Sequence, residues 1–289
     1  MIINLFWAEW QKLAGHRWAS GLLIWLFPVG ATALVIVGLL TAFFAPDTIA
    51  NLGLPANEWP LQMINFWQIS GNPLARLMLM GFAAVTFGGE YQWQTWKNVV
   101  PRQNRATLVL VKFVTLGLFI TISFGVASVM WGIGLLGIAA LTGGETSLLP
   151  AYSSWTDFGA SYGITAVVSF AAVMIAVSYA VIGALLTRTI LGAAIVGFTA
   201  TMAEELSPLF VLILQRVTGW EQALDLYRLT PTFTLSNISA WLNNGRPFIM
   251  PGFDYTPADL SFSLLVLVGW LLGLLLVAAL IFQKQDITS

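Results

Sequence analysis

"GGEYQWQTWKNVVPRQNRATLVLVK", residues 88–112, is a charged island in an apolar chain: one Glu, four cations, two Trp and one Pro. Long runs of Leu, Val, Ile, Phe and Gly flank it on both sides. The contrast decides the fold class. The chain has 289 residues, of which 58% are hydrophobic and only 9% charged, and its mean hydropathy is +0.82. A soluble domain carries roughly 25% charged residues. Twelve Lys plus Arg and thirteen Asp plus Glu cannot supply a polar skin for a core of this length. The expectation is an all-α integral membrane protein, since a helix satisfies its own backbone hydrogen bonds in lipid. The absence of Cys excludes disulfides, thiolate metal sites and Cys nucleophiles, and a single His excludes a multi-His metal centre.

A helix needs about 20 apolar residues to cross a bilayer. Four uncharged runs meet that length: 18–44, 113–142, 158–187 and 260–282. Two further segments are expected to cross. Residues 74–92 carry Arg76 and Glu90 near their ends, where both can snorkel. Residues 189–203 are short and run into "EELSP". The expectation is six transmembrane helices in a single domain, 1–289. Between spans five and six, "LSPLFVLILQRVTGWEQALDLYRLTP" is apolar enough for short external or re-entrant helices.

Charge position sets the orientation. Eight cations fall on one side (Lys12, Arg17, Lys97, Arg102, Arg105, Lys112, Arg188, Lys284) and four on the other (Arg76, Arg216, Arg228, Arg246). Both termini and residues 88–112 are therefore expected on the cytoplasmic side. The start, "MIINLFWAEWQKLAGHR", lacks the pattern of a cleavable signal peptide. It is expected to be an interfacial helix over 1–17. Ile3, Phe6, Trp7, Trp10, Leu13 and Ala14 share its apolar face, and Glu9, Lys12 and His16, followed by Arg17, border its polar one. It suits either a simple anchor or a platform for a cytoplasmic partner; His16 is expected on a solvated face.

Within residues 88–112, helical spacing puts Glu90 with Gln94, and Trp93 with Lys97. Pro101 is expected to stop that helix. Positive-inside bias and interfacial Trp explain the cations and the aromatics. They leave unexplained a Glu directly after Gly-Gly and an Arg directly after Pro. The order Gly89-Glu90-Tyr91, Thr95-Trp96-Lys97, Pro101-Arg102 and Lys112 resembles the permease subunits of type-2 ATP-binding-cassette exporters. The N-terminal helix with Glu9 and Lys12, the six spans and "LTPTF" at Pro231 fit the same layout. The connection at 45–73 is longer than is common in that family.

The resemblance implies that Glu90, Tyr91, Trp93, Thr95, Trp96, Lys97, Pro101, Arg102 and Arg105 contact a separate cassette ATPase, with the N-terminal helix beside them. It implies two ATPase copies, which carry the ATP and Mg, and a second permease copy or homologue, all in the plasma (inner) membrane. A Glu90 pair with Arg102 or Arg105 is expected to stiffen the contact. The sequence contains no Gly-x-x-x-x-Gly-Lys-[Ser/Thr] loop, no zinc-protease helix and no nucleophile elbow, so neither an enzyme active site nor a cofactor is expected in this chain. No external basic patch with interleaved aromatics points to nucleic acid.

Glu204 and Glu205 are the one adjacent pair of acids near a span. They lie about 21 Å along from Thr189 at the helical rise, close to the far surface. They suit a helix end before Pro208, or an external gate that attracts cations. Other function classes also remain open: a structural subunit of a larger membrane complex, or an ion-coupled transporter.

Overall fold

A computed structural model describes residues 2–52, 58–96, 104–143, 152, 154–220, 222–249 and 257–286. All regular structure among them is helical. The first helices are α1 (Ile2–Gly15), α2 (Arg17–Leu23), α3 (Leu26–Phe44), α4 (Pro46–Leu52) and α5 (Trp59–Asn65). A 3₁₀ turn, Phe66–Gly71, leads into α6 (Pro73–Gln92). Then come α7 (Arg105–Leu141), α8 (Trp155–Thr187), α9 (Ile190–Glu205), α10 (Ser207–Thr218), α11 (Ala223–Tyr227), α12 (Pro231–Asn244) and α13 (Leu260–Lys284).

Side-chain caps fix where the helices begin. Asn72 accepts from Leu74 N at 3.0 Å, Asn104 from Ala106 N at 2.9 Å and Thr189 from Gly192 N at 3.0 Å. Each satisfies a donor that the first turn leaves unpaired. Among the described residues four helices are long and apolar enough to cross a membrane: α3, α7, α8 and α13. The number rises to five if α9 and α10, bent by 53° at their junction, form one span.

Two expectations about the spans change. The run 18–44 is not one helix; it breaks at Ile24–Trp25. Pro28 has no N–H to donate to the Ile24 carbonyl four residues back. Ser123 on α7 donates to that carbonyl instead, at 2.7 Å. Pro208 acts the same way at the α9–α10 bend, because it cannot donate to the Glu204 carbonyl. Segment 74–92 lies in α6, a helix of 20 residues, but α6 is not among the helices apolar enough to cross. Its place is central: eleven of its residues are buried, from Ala75 to Glu90. Leu79, Phe82, Phe87, Leu116, Phe124 and Val177 fill the core where α6, α7 and α8 meet.

Small residues set the crossings. Gly88 meets the backbone of Thr189 and Ile190, and Gly197 meets Ala180, so α6 and α8 both run antiparallel to α9. Gly134 seats Val35, and α3 runs parallel to α7. A Cβ added at Gly134 would lie 2.2 Å from Val35. The carboxyl ends of α6, α8 and α13 and the amino ends of α7 and α9 thus gather at one pole. By contrast, α3 and α13 show apolar faces to the outside, with Val29, Leu34 and Phe43 exposed on one and Leu265, Leu272 and Leu276 on the other.

Candidate functional site

The gathered pole holds a chain of four charges. Glu90 is 2% exposed in the last turn of α6, and Lys112 is 2% exposed on the second turn of α7. Lys112 Nζ donates to Glu90 Oε1 at 2.5 Å and to Glu9 Oε2 at 2.6 Å. Lys12 Nζ donates to the same Glu90 Oε1, and the Thr95 hydroxyl donates to Oε2. The order Lys12–Glu90–Lys112–Glu9 alternates in sign and sums to zero. Lys112 Nζ also lies 5.3 Å from the centre of the Trp96 ring, so an aromatic face covers the ammonium.

Such a network adds little net stability over apolar packing, but removing one member strands a buried charge. It therefore fixes geometry, holding α1 against the α6–α7 junction.

The chain leaves α6 through a tight turn. Trp93 N donates to Gly89 O at 2.8 Å, and Gln94 takes a left-handed φ of 54°. The Trp93 ring lies over Gly89, where a Cβ would come within 2.6 Å of it, and stacks on His16 at 5.2 Å. Trp96 is buried against Phe282 at 4.5 Å. The end of α13 is tied in as well. Arg105 donates to the carbonyls of Phe282, Gln283 and Gln285 at 3.2, 3.0 and 2.5 Å. Tyr91 donates to the Gln285 side chain, which donates in turn to Leu185 O on α8.

Several expectations need correction. Glu90 does not pair with Arg105; its cations are Lys112 and Lys12, and Arg105 caps α13. Glu9 is not at a solvated border. It is 4% exposed, whereas Ile3 and Trp7 of the expected apolar face are 70% and 54% exposed. The ion pair with Lys112 turns the Glu9 side of α1 inward. His16 is half-buried and accepts from Ala19 N at 3.1 Å, capping α2, while Arg17 is exposed. The helix that carries Glu90 ends at Gln92 in a turn, so Glu90 and Gln94 share no helical face. Lys97, Pro101 and Arg102, and with them the Trp93–Lys97 contact, lie outside the described residues.

The sequence assigns no site role to Lys112, which it places only in the motif above, or to Gln285. Lys112 left one signal: it is alone among apolar neighbours in "LVLVKFVTL". At the far end of α6, Arg76 donates to Glu205 and, through Nε, to Ser70 O at 3.3 Å. Glu204 accepts from the Tyr179 hydroxyl at 2.9 Å and the Thr232 hydroxyl at 3.0 Å. The adjacent acids thus bind different partners on different elements.

No protein-family model matches the chain, and no curated protein matches it as a relative.

Proposed function

We propose that this chain is the membrane-spanning half of an ATP-driven exporter, a permease of the type-2 ATP-binding-cassette kind. The observation that supports it best is the buried charge chain joining Lys12, Glu90, Lys112 and Glu9, because it links α1 to the α6–α7 junction. Those are the two elements on which a cassette ATPase rests in exporters of this kind. Six crossings follow if α2–α3 and α9–α10 each count as a broken span and α6 crosses inside the bundle, shielded by its neighbours. Broken helices are tolerated at membrane depth where neighbouring side chains satisfy the freed carbonyls, as Ser123 does for Ile24. The pole that gathers Lys12, Arg17, Arg105, Lys112, Arg188 and Lys284 is the cytoplasmic one in the plasma (inner) membrane.

In this reading, closure of two ATPase subunits pushes on the segment after Gln92. Glu90 passes the displacement to α1 and α7, and Arg105 passes it to α13. The chain supplies no hydrolysis of its own. A second copy or a homologue completes a pathway for a hydrophobic or amphipathic substrate.

Gentle purification of the tagged protein from its native membrane tests the reading. A nucleotide-hydrolysing subunit is expected to come with it, one per permease. Its ATPase rate should fall when Gln92 and Trp93, both exposed, are replaced by Ala. A set of unrelated membrane subunits with no ATPase would overturn the proposal.

A further inference from the structure

The second polar centre is separate from the coupling pole. A cavity of about 180 Å³ opens between α6, α8, α9 and α12. Its lining includes Arg76, Glu204 and Glu205, two carboxyl groups and one guanidinium, which carry one net negative charge when both carboxyls are ionised. Arg76 is committed to Glu205 and to Ser70 O. Among the described residues no cation forms an ion pair with Glu204. Its two oxygens accept from hydroxyls, Tyr179 on one and Thr232 on the other. Hydroxyls that donate to both oxygens orient a carboxylate and do not neutralise it. Each oxygen keeps a free lone pair. A carboxyl group in an apolar bundle is neutralised by a proton or by a counter-charge, and a cation that enters this cavity supplies the second.

We propose that this cavity binds a small organic cation: a primary alkylammonium of a few carbons, with its nitrogen on Glu204. The rest of the lining selects for that class. The hydroxyls of Thr201, Thr232 and Ser236 can take further N–H donors, and Ala172, Ala176 and Leu235 give an apolar wall for a short alkyl chain. A hard metal ion fits poorly, since it needs six or more oxygens converging at about 2.0–2.6 Å. The site's one uncommitted carboxylate stands beside a guanidinium that repels a divalent ion. The cavity lies on α9 next to the bend at Leu206, so an occupant there bears on that bend. The inference stands whether or not an ATPase drives the protein.

Titration of the full-length protein in phosphatidylcholine nanodiscs with ethylammonium chloride tests it. Sodium chloride at equal ionic strength is the control, and calorimetry and the thermal unfolding midpoint are the readouts. One saturable site is expected for ethylammonium and none for sodium. Glu204→Gln keeps the shape and removes the charge; it should weaken binding roughly 10- to 100-fold. Leu235→Phe fills the cavity without touching a charge and should weaken binding as well. Repeating the titration in phosphatidylethanolamine nanodiscs separates the sources. Weaker ethylammonium binding there identifies a lipid amine as the resident, and unchanged binding a soluble one; either upholds the site. Equal affinity in wild type and Glu204→Gln, the same saturation with sodium, or no saturable binding to ethylammonium would overturn it.

Discussion

Replacing Lys112 by Met removes the one side chain that serves two buried carboxylates. Its distances are 2.5 Å to Glu90 and 2.6 Å to Glu9, and its side chain is 2% exposed. Glu90 keeps Lys12 in the variant, but Glu9, with a side chain 6% exposed, keeps no cation among the described residues. Breaking a buried pair in this way costs about 3–5 kcal/mol. Lys12→Met removes a partner whose side chain is 41% exposed and leaves Lys112 on Glu90, so it should cost only about 0–1 kcal/mol. Adding Glu9→Gln to Lys112→Met removes the stranded charge and should restore roughly 1–3 kcal/mol. The assay is equilibrium unfolding of detergent-purified protein in mixed micelles, followed by Trp fluorescence. Two results would refute the reasoning: a Lys112→Met protein no less stable than Lys12→Met, or a double variant no more stable than Lys112→Met alone.

Arg105→Ala should free the end of α13 by removing donors to three carbonyls. A local loss of about 1–2 kcal/mol is expected, seen as faster amide exchange at the helix end and not in α8. Gly197→Ala should cost about 1–3 kcal/mol, because the new Cβ would lie 2.9 Å from Ala180 Cα at the α8–α9 crossing. Gly125→Ala, with nothing within 4 Å, should be neutral or stabilise by about 0.5–1 kcal/mol in the same unfolding assay.

How far the sequence reveals this structure depends on what the medium does to each signal. The helical class is plain from the uncharged runs: α7 holds 113–142 but for Thr142 and starts two turns earlier, and α8 and α13 hold all of 158–187 and 260–282. The orientation of α1 about its axis is not plain. Lipid and protein interior are both apolar, so Ile3 and Trp7 can point outward while Glu9 points in. In such a chain the charged residue, not the apolar stripe, marks the side that faces protein. The break at Ile24–Trp25 follows from Pro28, but its tolerance follows from Ser123, 99 positions away. Nearness along the chain also misleads for Glu90. Arg105 is closer in sequence, but α7 doubles back along α6 and brings Lys112 to the carboxylate. Arg76 and Glu205, 129 positions apart, meet for the same reason, since α6 and α9 run antiparallel.

The chain contains no Cys, so a single introduced one reports without background. Gln92, exposed at the end of α6, is the site to choose. Gln92→Cys in native membranes, treated with a short thiol cross-linker, should be modified from the cytoplasmic side only. It should cross-link to a nucleotide-hydrolysing subunit, with a yield that changes between nucleotide-free and ATP-bound conditions. Modification from the opposite side, or cross-links confined to other integral membrane subunits and indifferent to ATP, would contradict the role assigned to this pole.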